Sequence, residues 1–159
     1  MPLAQYNPVD REAIWAALFV WLQSQLGELF RSMSRKHVAP PQLQSVDQPA
    51  LFQVAVREKH LPNKSPGLPV RVPLSGVLIL YLFDDSPIED IGREAVLAET
   101  QLNNMLKAID AAFTPDDLSA GKFTLGGLVT HCWIEGESDL DPGIFGPQAA
   151  AIIPVHNLP

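Results

Sequence analysis

The sequence predicts an α+β domain, with two main helices packed on one mostly antiparallel or mixed β-sheet. Three observations predict it. Apolar residues recur at helical spacing in two separate stretches, residues 13–26 and 91–113. Runs rich in β-branched and aromatic residues lie between and after them. The resulting order of helix, strands, helix, strands lacks the regular alternation of a doubly wound parallel sheet. At 159 residues, with 47% hydrophobic and 18% charged content, the chain suits a single domain over residues 1–159.

The first helix is announced by Asn7-Pro8, which reads as an N-cap followed by proline at the first helical position. Asp10 and Glu12 then fall in the first turn, where the helix dipole favours carboxylates. The helix should end near Gly27. Ile14, Leu18, Trp21 and Leu22 form one stripe and Trp15, Phe19 and Leu26 an adjacent one, an apolar arc wider than a single sheet would cover. Either this is a large core helix in a small domain, or part of the arc meets another subunit. The apolar run from Ala13 to Leu22 falls well short of the roughly 20 residues that a membrane-spanning helix needs, so no membrane contact is expected.

A short strand is possible around Phe30 to Arg35, followed by the proline-rich spacer HVAPPQLQSVDQP. Next, Phe52, Val54 and Val56 alternate with Gln53, Ala55 and Arg57, predicting a strand with one buried and one wetter face. Its partner is VPLSGVLILYLF, whose Val77 to Phe83 part is apolar on both faces and so reads as a central strand. Between them runs a hairpin loop from about Glu58 to Arg71. Pro62, Pro66, Gly67 and Pro69 make it far longer than the usual hairpin connection of about two to five residues. Lys59, His60, Lys64 and Arg71 form a basic cluster there in a chain of net charge -7, which suits an acidic partner surface. These four are the candidate partner-binding residues. A solvated loop is the plainer reading.

Ser86-Pro87-Ile88-Glu89 has the spacing of a capping box, so the second helix should start there or just beyond Gly92. Ile91, Ala95, Ala98, Leu102, Met105, Leu106, Ile109 and Phe113 form its apolar stripe, ended by Thr114-Pro115, and should lie on the sheet. Arg93, Glu94, Gln101, Asn103 and Asn104 read as its solvated face. The loop DDLSAGKFTLGG leads to a strand around His131, and SDLDPGIFGPQ reads as a second loop. A final strand holds AAAIIPV. Pro154 lacks an amide donor and therefore predicts a sheet edge or the end of that strand.

The residues most suggestive of chemistry lie in GGLVTHCWIEGE, with the only cysteine beside a histidine. On a strand, neighbours point to opposite faces, so His131 cannot readily serve as the base for Cys132. Glu135 and Glu137 share the face of His131, which keeps a metal or hydrogen-bond cluster conceivable; a satisfied surface histidine is the plainer reading. GKFTLGG lacks the spacing of a phosphate-binding loop, and the four histidines show no zinc-binding spacing. Asp84-Asp85 and Glu89-Asp90 bracket a turn that could hold a hard cation, although acidic turns need none. No catalytic residue, metal or cofactor is therefore assigned. The negative charge argues against a grip on nucleic acid, which requires clustered cations. The lone cysteine excludes an internal disulfide, and the start MPLAQYNPVD lacks a secretory pattern, so folding in a reducing cytoplasm is expected.

Taken together, REAIWAALFVWL, DQPALFQV, VPLSGVLILYLF, LNNMLKAIDAAF, GGLVTHCWIEGE and AAAIIPV resemble, in order and character, the tail terminator proteins of tailed bacteriophages. These are also called minor tail protein U or tail completion proteins. The likeness spans nearly the whole chain. It departs at DDSPIEDIGREAVLAETQ, which is expected to be shorter in many relatives. The resemblance implies a homo-oligomeric ring, usually a hexamer, that caps the tail tube, ends its polymerisation and offers a head-joining surface. It implies the tail tube protein and head-tail connector proteins as partners, with DNA passing through the lumen without specific binding. The implied location is the virion tail, after assembly in the bacterial host cytoplasm. Two other readings compete: a head-tail connector or stopper protein of the same virion, and a small ligand- or metal-binding enzyme domain centred on His131.

Overall fold

A computed structural model describes residues 8–61, 71–84, 93–144 and 146–159, with the side chains of the second helix described from residue 99. Along the chain run α1 (Arg11–Leu26), β1 (Ser32–Ser34), β2 (Ala50–Glu58), β3 (Leu74–Phe83), α2 (Arg93–Ala112), β4 (His131–Ile134), β5 (Asp139–Asp141) and β6 (Gln148–Leu158). The strands form one six-stranded sheet in the order β1-β2-β3-β6-β4, with β5 also paired to β6. β1 is parallel to β2 and the other pairings are antiparallel. This is the α+β fold that the sequence predicts.

α1 begins later than Asn7-Pro8 suggests. Its N-cap is Asp10, whose Oδ1 accepts the Ala13 N–H at 2.9 Å, satisfying one of the donors that a helix start leaves open. Asn7 lies outside the described residues, and Pro8 precedes the helix. Ile14, Trp15, Leu18, Leu22 and Leu26 are all buried, and Trp21 donates its indole N–H to the Ala112 carbonyl at 2.7 Å. The wide apolar arc is thus largely taken up by the domain's own core and by α2, leaving Val20 at 63% exposure. No helix among the described residues is long and apolar enough to cross a membrane.

α2 starts just beyond Gly92, the later of the two predicted starts; the Ser86–Glu89 box and Ile91 lie outside the described residues. Leu102 and Ile109 are buried in the same cluster as Leu18 and Leu22 of α1 and Leu78 and Leu80 of β3, while Gln101, Asn103 and Asn104 are exposed. Both helices therefore lie against one face of the sheet. The strand residues on that face follow from register. Leu51, Leu80 and Ala151 form one cross-strand row, and Leu78 and Ile153 share the next. Each fully buried leucine here contributes about 1.5–3 kcal/mol relative to exposure.

The opposite face of the sheet is covered as well. Phe52 and Val54 turn away from the helices and, with Ala50, Ile79, Tyr81 and Ala150, build a smaller cluster covered by Val38 and Leu43 of the proline-rich spacer. That spacer contains two single 3-10 turns, Pro40–Gln42 and Ser45–Asp47, and it tethers His37 Nε2 to the Tyr81 hydroxyl at 2.8 Å. β2 accordingly does not show a simple alternation. Leu51, Phe52 and Gln53 are all buried because helices cover one face and the spacer the other, whereas residues 55–58 emerge from beneath both and are exposed.

β3 is central, as its two-sided apolar run predicts, flanked by β2 and β6. Its interior glycine has a packing reason. A Cβ on Gly76 would stand 2.5 Å from the Val54 carbonyl oxygen and 2.9 Å from the Trp15 ring.

β6 overturns the reading of Pro154. The strand runs on to Leu158 and lies inside the sheet, with β3 on one side and β4 and β5 on the other. The proline is tolerated because the neighbouring edge is broken opposite it: β4 pairs with residues 155–158 and β5 with residues 150–152. Gly136, at φ +110°, occupies the break, where a Cβ would sit 3.4 Å from Pro154 Cγ. A missing amide costs a ladder bond only where a partner strand is present to receive it. Two further boundaries change. SDLDPGIFGPQ contains β5 instead of being loop throughout, and the His131 strand is only four residues long.

Candidate functional site

β4 places Cys132 and His131 on opposite faces, as strand alternation requires. Cys132 is fully buried among the helix-facing residues, and burial pushes its thiol up to about 12, far from a reactive thiolate. On the outer face His131 stacks on Trp133 with ring centroids 4.8 Å apart and planes 8° from parallel, and Trp133 lies 5.5 Å from His156. The polar atoms of this group are mostly committed to holding it together. Trp133 donates its indole N–H to Glu135 Oε2 at 2.6 Å. His156 Nε2 donates to the Glu135 carbonyl at 2.9 Å, which leaves its Nδ1 to accept the Ser75 hydroxyl at 3.0 Å. His131 Nδ1 accepts the Phe123 N–H at 3.3 Å.

The structure thus brings His131, Trp133, Glu135 and His156 together as a stacked clamp between β4 and its neighbours. Glu135 answers to the indole, and Glu137 lies beyond the end of β4, exposed. No group of three or more His, Cys, Asp or Glu among the described residues could hold a metal ion. Of the acidic turn, Asp84 is described and donates its N–H to the Pro147 carbonyl, while Asp85, Glu89 and Asp90 lie outside the described residues.

The glycine-rich loop before β4 is also internally satisfied. Asp116 accepts the Thr124 N–H at 2.7 Å, the Thr124 hydroxyl, and the Gly126 N–H at 3.0 Å. Partial desolvation opposes charge on Asp116, but these donors outweigh it and hold its carboxyl below the ordinary range. Gly126 and Gly127, at φ +70° and +92°, supply the left-handed backbone that such a tight turn needs. Amides that could otherwise have faced an anion thus face the chain's own carboxylate.

The basic cluster sits at the far end of the β2–β3 hairpin. Pairing continues past the ends of both strands: Lys59 donates its N–H to the Pro73 carbonyl at 3.1 Å, and Leu61 donates to Arg71 at 2.9 Å. The connection is therefore narrower than Glu58 to Arg71, and the ladder brings Lys59, His60 and Arg71 to one exposed end. Lys64 lies outside the described residues. Glu58 underlies the group, held below the usual carboxylate range first by its hydrogen bond with Arg11, with His60 Nε2 at 3.6 Å.

Sequence reasoning missed the borders of the sheet. β1 covers β2 only from Ala50 to Phe52, and no described strand pairs with β2 beyond that point on the same side. The outer side of β4 and β5 is likewise unpaired among the described residues. Each open border carries an exposed aliphatic residue among charges. Val56, 59% exposed, precedes Arg57 and Lys59, whereas Leu140, 53% exposed, lies between Asp139 and Asp141. The alternation Asp-Leu-Asp was the available signal, since charged residues commonly mark edge strands. No family model matches the chain, and no curated protein matches it significantly.

Proposed function

We propose that this chain is a virion assembly protein that closes into a ring, usually a hexamer, and caps the tail tube of a tailed bacteriophage. It thereby ends tube polymerisation and offers a surface for head joining. Two lines of support combine. The order and character of its segments resemble tail terminator proteins, and the single observation that carries the reading is a sheet open at two unlike borders. A building block with two different borders associates head to tail, and when the rotation closes, the ring leaves no growing edge. Its partners in this reading are the tail tube protein below and head-tail connector proteins above, with DNA passing through a lumen that does not grip it. It acts in the virion tail after assembly in the bacterial cytoplasm.

The test is a growth assay. Purified chain is measured by size-exclusion with light scattering over rising concentration, then added to polymerising tail tubes whose lengths are scored by electron microscopy. Rings that bind tube ends and halt elongation are expected. A chain that neither binds tube ends nor changes their length would remove the reading. Crosslinking in assembled particles separates the head-tail connector alternative, because a connector contacts head proteins without touching the tube.

A further inference from the structure

We propose that neighbouring copies of this chain join border to border: the basic border of β2 meets the acidic β4–β5 border of the next copy. This rests on the ring reading above and names the contact that would build the ring. The occupant of each border is a second copy because the two borders complement each other in sign and in pattern. One carries Val56 with Arg57 and Lys59, with His60 and Arg71 at its end and its carboxylate, Glu58, paired with Arg11; the other carries Leu140 with Glu135, Glu137, Asp139 and Asp141. They lie on opposite sides of one sheet, so a single kind of contact uses one border from each of two copies. Such a contact propagates in one rotational sense, whereas a self-complementary patch would stop at a dimer.

The contact is one of side chains more than of continuous ladder. β2 changes register between Ala55 and Arg57, leaving Val56 unpaired, and the opposite border is interrupted between Ile134 and Asp139. Irregularities of this kind keep an edge from recruiting arbitrary strands. Opposite charges around one aliphatic contact then select the correct neighbour and penalise like borders, since a basic border facing another basic border is repelled. Ring formation in this arrangement weakens as salt screens the charges.

Two charge-reversed proteins test it. The first combines Arg57→Glu with Lys59→Glu, so both of its borders are acidic; the second combines Glu137→Lys with Asp139→Lys, so both are basic. All four residues are exposed, and circular dichroism checks that each protein is folded. Each alone should lose at least tenfold in self-association by sedimentation, and an equimolar mixture should recover rings of alternating composition. Wild-type-like rings from either protein alone, or two folded monomeric proteins whose mixture stays monomeric, would overturn the contact. Should a reversal fail to fold, the neutral variants Lys59→Gln and Asp139→Asn read the same contact through a shallower salt dependence; an unchanged dependence counts against it. If the reversed proteins form normal rings that still cap tubes, the contact is wrong while the functional reading stands. If wild-type protein stays monomeric and leaves tube growth unchanged, both fall.

Discussion

Asn157 is fully buried on β6, in register with Leu74 and Cys132, and both polar atoms of its amide lack a hydrogen-bond partner among the described residues. An orphaned buried amide costs about 1–3 kcal/mol, so replacing it with an apolar group of similar size should cost nothing or stabilise. Asn157→Leu is expected to leave the urea midpoint unchanged or raise it. A loss beyond about 1 kcal/mol would show that a bound water satisfies the amide. The neighbouring Cys132 leads to a different measurement. Its burial and raised thiol mean that a thiol reagent should label it only after global unfolding, at a rate that tracks denaturant. Rapid labelling of the folded protein would contradict the core position. The strand period alone separated Cys132 from His131, but nothing in local sequence indicated that Asn157 would be inside. The outcome depends on which neighbours β6 acquires.

At the scale of elements, the two halves of β2 and the centre of β3 behave differently because they are covered differently. Leu80→Ala should cost roughly 2–5 kcal/mol, since Leu80 is fully buried between the helices and β6. Val56→Ala, at an exposed border, should change denaturant stability by less than about 0.5 kcal/mol. Equal losses would mean that the sheet border is covered. The Asp116 turn carries a pH prediction. Its carboxyl is held lower in the folded chain than when unfolded, so the stability it contributes is complete above the unfolded carboxylate value and lost as pH falls through the folded one. Amide exchange at Thr124 and Gly126, whose N–H groups Asp116 accepts, should accelerate relative to the core strands only as pH drops through and below the ordinary carboxylate range. In Asp116→Asn that acid-specific acceleration should disappear.

Across the molecule, the described residues form one large core shared by both helices and the sheet, and a smaller cluster under the spacer built on the same strands. Because every covering layer rests on β2, β3 and β6, unfolding should be a single cooperative transition. Far-ultraviolet circular dichroism and tryptophan fluorescence should give coincident curves. Trp15 and Trp21 report the helix layer while Trp133 reports the β4 border, so an early fluorescence change would show one of these regions loosening before the rest.

The two helices, the central β3 and the α+β class were all legible in the sequence, because amphipathic period and two-sided apolar runs are local properties that survive in any arrangement of neighbours. So were the end of α1 at Gly27 and the separation of Cys132 from His131. The basic cluster was legible as composition, but its joining at one end of the hairpin came from ladder bonds across residues 59–73. Local pattern could not say that Phe52 faces the spacer instead of the helices, since alternation marks the apolar face of a strand without saying which layer covers it. Nor could it place Pro154 inside the sheet, because a proline's missing amide matters only in relation to the neighbour strand, and here that neighbour breaks at Gly136. The unlike sheet borders were equally out of reach. Which strands end a sheet is a property of pairing between distant segments, and Val56 becomes a border residue only because β1 stops at the level of Phe52.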